Sequence, residues 1–434
     1  MSIRFSAALD SARQWVKIHA ERLPKDLALV RDLYGRIRIA LPPDTTADGP
    51  DDSLWQELHA LLGPYSPGVE NLLLSGDTLL APDAIFKSQD LVPLEPSSSA
   101  GPFFLDRLIN GGDWLRPQFP DAPPRVPRAT FYGLKGGVGR STALALFARH
   151  LAGRGKNVLV LDLDLESPGV GSLLLPADSF PACGLVDWFV EDAVGAADAT
   201  LLDDLTAVSP LAATTQGQIR VAPAHGLGET AYLPKLARVT LDVRRQTGME
   251  SFSMRLHRLI ESLEQHWKPD VVLLDSRAGL HDVAAVSLTR LGALALLFAA
   301  NGEQTWQGYR LLFRHWQAHF GSLPHFRENL RVVDALVPET GRPEHRATAL
   351  AASHALFEET IYEESAPDAQ EAFNYALDDP DGPHHSVPIY WSRVFQGFNP
   401  SSTPAAVSDA EVTACYGEFL LTCERLLYSG DTIL

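Results

Sequence analysis

The 434-residue sequence contains few cysteines and few basic residues. Its three cysteines, Cys183, Cys415 and Cys423, form no C-x-x-C pair, so the sequence gives poor support for an iron–sulfur or zinc site. The 36 Lys and Arg residues are outnumbered by 54 Asp and Glu residues, which gives a net charge of −18. This charge disfavours broad, non-specific binding to DNA or to an anionic membrane.

Long apolar runs are also absent. The longest run, residues 291–300, is about half a membrane span and contains a glycine. The first residues, MSIRFSAALDSARQW, lack the continuous apolar stretch of a secretory signal. Together with the low cysteine count, these absences predict a soluble, cytoplasmic protein. Paired arginines are expected to be solvated at its surface: Arg125 with Arg128, and Arg244 with Arg245.

The most informative segment is residues 131–142, FYGLKGGVGRST. It follows a β-prone run that starts at Arg128 and precedes an alanine- and leucine-rich segment that is typical of a helix. A strand, a glycine-rich loop and a helix N-terminus in this order form an anion site, because backbone N–H groups and the helix dipole attract phosphate oxygens. The loop fits the pattern G-x-x-x-x-G-K-[ST] with two departures, Leu134 for the first glycine and Arg140 for the lysine.

Two apolar runs farther along the chain end in acidic residues. The first apolar run lies in KNVLVLDLDLESPG and ends at Asp162 and Asp164. The second lies in KPDVVLLDSRAGLHD and ends at Asp275, which is followed by Gly279. A hydrophobic strand needs no acid at its end for stability, yet both strands carry one. Their order after the glycine loop favours a phosphate and metal site over a set of unrelated turns.

KGGVGRST and the two acidic strand ends together resemble the ParA/MinD family of dimeric ATPases, whose P-loop is a deviant Walker A motif. Arg140 replaces the usual second lysine. The resemblance covers residues 128–340 well and 341–434 loosely. It implies ATP and Mg²⁺ as ligands and three kinds of site. The residues implied to bind the phosphates are Gly136, Gly137, Val138, Gly139, Arg140, Ser141 and Thr142; those implied to hold the metal are Ser141, Asp162 and Asp275; the catalytic ones are Lys135, Arg140 and Asp164.

Proteins of this family act as switches, so the resemblance implies that two subunits close around two ATP molecules and recruit or release a protein partner. Lys135 would then reach the nucleotide of the second subunit, although it could instead contact only its own phosphates. The planar guanidinium of Arg140 need not take the position of a lysine ammonium, which predicts slow hydrolysis. The alternative is a non-hydrolysing, nucleotide-sensing regulatory or scaffold subunit of a bacterial multi-gene system, for example in antiphage defence.

Alternating strands and helices after residue 128 predict an α/β fold, with a mostly parallel sheet covered by helices on both faces, as in P-loop NTPases. Inserted helices are expected between residues 171 and 268. Three segments are predicted: a small N-terminal α+β accessory module (1–90) that could bind the partner, a proline-rich linker with a short helix (91–127) and the ATPase domain (128–434).

Overall fold

The computed structural model describes residues 3–43, 45, 52–75, 79–88, 90–95, 101–119, 124–246, 248–318, 326–363, 372–398 and 407–428. They divide into two compact units, the first ending at Gly112 and the second beginning at Asp113. None of the helices formed by these residues is long and apolar enough to cross a bilayer.

The first unit is a small α+β module. Its elements are α1 (Phe5–Ile18), β1 (Ala28–Arg31), β2 (Ile37–Ala40), α2 (Asp52–Leu62), β3 (Leu73–Leu74), α3 (Asp83–Phe86), β4 (Leu91–Pro93) and β5 (Phe103–Asp106). The strand order is β3-β2-β1-β5-β4. Gly35, with φ of +81°, lies in the turn between the antiparallel strands β1 and β2. The tryptophans of the two longer helices, Trp15 and Trp55, pack against each other in the core.

Residues 91–95 and 101–106 differ from the predicted linker with a short helix. They contribute β4 and β5 to the sheet of the first unit, and β5 pairs in parallel with β1. Phe104 and Leu105 are buried there. Prolines at both ends of this stretch are typical of a linker, but Pro93 and Pro102 lie at or beside strand ends, where a missing N–H is tolerated. The predicted domain boundaries otherwise stay a prediction.

The second unit is built on an eight-stranded sheet with the order β15-β14-β13-β6-β12-β7-β9-β8. All neighbouring strands are parallel except β8 and β9. Its elements are β6 (Arg128–Gly133), α4 (Arg140–Gly153), β7 (Val158–Asp162), α5 (Val170–Leu174), α6 (Leu185–Ala193), α7 (Ala199–Asp204), β8 (Ala207–Val208), β9 (Ile219–Ala222), α8 (Tyr232–Val239), β10 (Val243–Arg245), β11 (Gly248–Glu250), α9 (Phe252–Trp267), β12 (Val271–Asp275), α10 (Asp282–Thr289), β13 (Leu294–Ala300), α11 (Glu303–Gln317), β14 (Leu330–Val337), α12 (Arg342–Glu358), β15 (Val387–Tyr390) and α13 (Asp409–Tyr428).

Helices cover both faces of this sheet, which confirms the expected fold class. Successive residues of the central strands enter different cores: Phe131 packs with α4 and α13, whereas Tyr132 packs with α10 and α11. All residues of β6, β7 and β12 are buried, as expected for strands covered on both faces. Cys415 and Cys423 are both buried in α13.

The long region between β7 and β12 contains the predicted inserted helices, α5 to α9. It also contains the two-stranded hairpin of β10 and β11, which the sequence analysis did not predict. Both strands are three residues long and largely exposed, so they have no apolar alternation that would reveal them.

Candidate functional site

The glycine-rich loop connects the end of β6 to the first turn of α4. Gly137 and Gly139 have φ of +78° and +79°, a left-handed conformation that glycine adopts without a Cβ clash. Apart from each glycine and its two chain neighbours, no heavy atom of the described residues lies within 4 Å of the position that a Cβ would take on Gly136 or Gly137. The loop therefore offers open space beside backbone N–H groups and the positive end of α4, which is the arrangement that binds phosphate.

The sheet brings the predicted acidic residues to this loop. β12 lies between β6 and β7, and Asp275 is the register partner of both Phe131 and Asp162. The carboxyl ends of three neighbouring parallel strands thus meet at one edge, where ligands of open α/β sheets bind. Asp162, Asp164 and Asp275 are all buried, and Asp275 is completely inaccessible.

Arg140 joins two of these acids. Its Nε donates to Oδ1 of Asp275 and its Nη2 donates to Oδ2 of Asp164, both at 2.8 Å. Ser141 Oγ donates to the other carboxylate oxygen of Asp275 at 2.7 Å. The Arg140 side chain is 8% exposed, so it is held inside the site by its own chain.

The acids and the arginine influence each other's ionisation. Burial raises the pKa of Asp162 to about 8, and the nearby Asp275 adds to the shift. Burial also raises the pKa of Asp164, although Arg140 opposes this effect. Burial alone would lower the pKa of Arg140, but Asp275 and Asp164 outweigh it and raise the pKa above its ordinary value. The guanidinium therefore stays charged at any physiological pH.

Asp162 shows that the donor set suits a magnesium ion. Its Oδ2 accepts hydrogen bonds from the backbone N–H groups of Gly169 and Gly171, at 3.2 and 3.1 Å. Its Oδ1 is buried without a hydrogen-bond partner among the described residues. The Ser141 hydroxyl and the Asp275 carboxylate add hard oxygen ligands, which Mg²⁺ prefers.

A complete metal site is not formed by side chains alone. The described residues contain no cluster of three or more His, Cys, Asp or Glu residues with metal-ligand geometry. This agrees with the usual binding of Mg²⁺ through one or two carboxylates together with substrate phosphates. Ser141, Asp162 and Asp275 could hold the ion, provided that a phosphate supplies further ligands.

The remaining predicted loop residues lie in three different environments. Lys135 is exposed, and its Nζ donates to Oε1 of Gln304 at 2.6 Å. Val138 is buried in the core beneath the loop, so only its backbone is available to a ligand. Thr142 is half-buried in the first turn of α4.

Two charged residues beside the site were not predicted. Glu166 and Arg277 each lie two positions beyond a predicted acid, Asp164 or Asp275, and they form an ion pair between the two loops. His281 Nε2 lies 3.6 Å from the same Glu166 carboxylate. The positions of these two residues in the sequence could have indicated the ion pair. Loops that follow neighbouring parallel strands lie side by side, so charges at equal distances from the strand ends can pair.

Comparison with known domains agrees with this geometry. Residues 129–286 match the CobQ/CobB/MinD/ParA nucleotide binding domain. The matched segment runs from β6 into α10 and includes the glycine-rich loop and all three acids. Residues 129–286 are thus similar to a ParA/MinD-type nucleotide-binding domain. The expected resemblance is thereby confirmed, and the deviant character of the Walker A loop stays a prediction.

No curated protein matches the chain significantly. Among solved structures, a ParA family ATPase from Chlorobium tepidum TLS is similar at 15% identity and a TM-score of 0.43, over 68% of this chain and 98% of that one. The septum site-determining protein MinD from Pyrococcus horikoshii OT3, complexed with Mg-ADP, is similar at 16% identity and 0.40, over 69% and 97%. pNOB8 ParA bound to nonspecific DNA is similar at 13% identity and 0.42, over 69% and 97%. The assignment of the ParA/MinD-like domain therefore rests on the matched segment.

Proposed function

We propose that the protein is an ATP-binding molecular switch that dimerises around Mg-ATP, recruits or releases a protein partner and hydrolyses ATP slowly. The observation that supports this most is the convergence of the glycine-rich loop, Ser141 and the three acids at the carboxyl ends of β6, β7 and β12. Positioning and charge stabilisation are the main requirements of phosphoryl transfer, and this edge of the sheet supplies both.

Each group has a defined task in the proposed site. Backbone N–H groups of residues 136–141 bind the β-phosphate, and the Thr142 hydroxyl donates to the α-phosphate. Ser141, Asp162 and Asp275 hold the metal ion. When bound, Mg²⁺ neutralises charge on the phosphate oxygens. Asp164 accepts a hydrogen bond from the attacking water and orients it.

Slow hydrolysis is proposed because Arg140 engages the groups that the reaction needs. Its guanidinium bonds to both Asp164 and Asp275. These hydrogen bonds compete with the water that Asp164 would orient and with the metal ion that Asp275 would help to hold. Triphosphate oxygens are suitable alternative acceptors for the guanidinium, since arginine binds phosphate in a bidentate manner.

Isothermal titration calorimetry with ATP and Mg²⁺ tests the binding step. Gly139→Asp should abolish binding, because the new carboxylate repels phosphate and a side chain at φ of +79° strains the loop. Gly195→Asp is the matched control, since Gly195 has φ of +78° in open space outside the site. Equal ATP affinity for wild type and Gly139→Asp, or no binding by wild type, would contradict the proposal.

The proposed dimer depends on Lys135. In the single chain its ammonium bonds to Gln304, at the exposed edge of the phosphate loop. We propose that this contact exchanges for the nucleotide of a second subunit. Light scattering should show a dimer with an ATP analogue, a monomer with ADP or without nucleotide, and no dimer for Lys135→Ala. A monomer in all three states, or a dimer unaffected by Lys135→Ala, would contradict this role.

The second candidate is a non-hydrolysing, nucleotide-sensing regulatory or scaffold subunit of a bacterial multi-gene system, such as an antiphage system. The same Arg140 contacts favour it, because they keep Asp164 and Asp275 paired within the protein. A turnover assay separates the candidates: ATP binding with no phosphate release above background would support the scaffold.

The proposed kind of partner and the proposed location are based on net charge and thiol chemistry. The net charge of −18 makes a protein partner more plausible than broad contact with DNA or membrane, and we propose the first unit as its binding region. All three cysteines are free thiols, which suits the proposed location in a reducing cytoplasm.

A further inference from the structure

We infer that Arg140 is a built-in counter-cation that keeps free divalent metal out of the acidic pair Asp164 and Asp275, so that metal enters the site only together with nucleotide. The inference rests on the proposed function for its nucleotide step. Arg140 would then determine the order in which metal and nucleotide bind, in addition to its contact with phosphate.

Oxygens of the two carboxylates already accept hydrogen bonds within the protein. Both oxygens of Asp275 already accept hydrogen bonds, one from Arg140 Nε and one from Ser141 Oγ. Asp164 accepts the Nη2 donor of the same guanidinium. A metal ion that binds either acid therefore competes with the guanidinium for the charge of that carboxylate, and charge-assisted hydrogen bonds of this kind are roughly twice as strong as neutral ones.

The positive charge of Arg140 also opposes the entry of a free metal ion. The side chains of Arg140, Asp164 and Asp275 are 8%, 10% and 0% exposed, so water screens their charges weakly. A divalent cation that enters beside the paired guanidinium meets strong like-charge repulsion. Arginine cannot relieve it by losing its proton. Arg277 is paired with Glu166, and its charge also lowers the pKa of Asp164, which adds a second positive charge near the acidic pair.

A bound nucleotide would change the hydrogen-bond acceptors that are available to Arg140. A triphosphate offers Arg140 new anionic acceptors at the N-terminus of its own helix, and it also brings oxygen ligands for a metal. The guanidinium can then leave Asp164 and Asp275 without losing its ion pairing. Free metal provides no such acceptor, so the order of binding depends on the charge at position 140.

Electron paramagnetic resonance of Mn²⁺, titrated into nucleotide-free protein, tests the inference directly. Arg140→Gln should bind Mn²⁺ at least about tenfold more tightly than wild type, since one buried like charge is removed. Arg149→Gln is the matched control, because it makes the same charge change on the same helix at a side chain 37% exposed and paired with Asp409. It should leave Mn²⁺ binding unchanged.

Two further variants locate the effect and its cause. In Arg140→Gln/Asp275→Asn the gained Mn²⁺ binding should disappear, and Arg140→Lys, which keeps the charge, should resemble wild type. Folding is checked by thermal unfolding, and Arg140→Met serves as a second neutral variant of similar length. The inference is wrong if the neutral variants gain no affinity, if the gain survives Asp275→Asn, or if Arg140→Lys gains as much as Arg140→Gln.

The outcomes also separate this inference from the proposed function. If wild type binds no ATP but Arg140→Gln gains a Mn²⁺ site, the proposed function fails and the exclusion of free metal stands. If wild type binds ATP and the neutral variants gain no site, the function stands and the inference fails.

Discussion

Replacement of Asp162 by asparagine is expected to change how stability depends on pH. Asp162 is 1% exposed, and burial beside Asp275 raises its pKa from 3.8 to about 8. The native protein thus keeps a proton on this carboxyl group over a pH range in which the unfolded chain has lost it. Asparagine keeps the shape and the acceptor oxygen for the N–H groups of Gly169 and Gly171, but it has no proton to lose.

The size of the effect follows from proton linkage. Between the two pKa values the native state binds about one proton more than the unfolded state, so the free energy of unfolding falls as pH rises, by about 1.4 kcal/mol per pH unit. From pH 5.5 to pH 7.5 the loss due to Asp162 is therefore about 2.7 kcal/mol. Asp162→Asn escapes this loss and should gain stability relative to wild type over the same interval.

Denaturant unfolding in the presence of a chelator, without nucleotide, measures this difference at pH 5.5, 6.5 and 7.5. Titrating groups away from the site contribute equally to wild type and variant, so the difference between the two reports Asp162 and the acids that interact with it. Asp178→Asn, at an exposed position, is the control and should run parallel to wild type. A difference between Asp162→Asn and wild type that stays constant within about 0.5 kcal/mol would refute the raised pKa.

Three further predictions concern other charged residues of the second unit. Asp164→Ala should reduce phosphate release to background in a turnover assay while ATP still binds; release at the wild-type rate would contradict the role of Asp164. Glu264→Gln should lower the free energy of unfolding by about 3–5 kcal/mol, because it leaves the buried Arg128 without its bidentate partner; a loss below about 1 kcal/mol in denaturant unfolding would contradict this. Arg277→Gln should cost less than about 1 kcal/mol in the same assay, since its partner Glu166 is 42% exposed, and a larger loss would indicate that the pair holds the two loops in place.

The parts of the fold that the sequence predicted are those that depend on residues close together in the chain. The apolar runs that became β6, β7 and β12 are fully buried, and such strands carry a continuous hydrophobic signal. The phosphate loop was recognisable because Gly137 and Gly139 take conformations that few other residues adopt. Acidic residues at strand ends could be placed near the loop, because parallel strands bring their carboxyl ends to one edge.

The parts that were missed depend on partners distant in sequence. Arg128 was expected at the surface, yet it is 3% exposed and paired with Glu264. Arg245 was expected to be solvated, and it bonds to Asp192 and Glu250. Periodicity records which face of an element is apolar, but it contains no information about which opposite charge the fold brings to an arginine. The pairing of Arg140 with Asp164 and Asp275 was unpredictable for the same reason.

The central position of β6 has a consequence for the synthesis of the protein. Among the described strands β6 pairs with β12 and β13, which follow it by more than a hundred residues, and Arg140 is 135 residues from its partner Asp275. A chain emerging from the ribosome therefore exposes the glycine loop long before the strands that complete its surroundings exist. Contacts of such long range form late in folding. Nucleotide capture should consequently begin only after residue 300 has left the ribosome, and shorter nascent chains should fail to retain ATP.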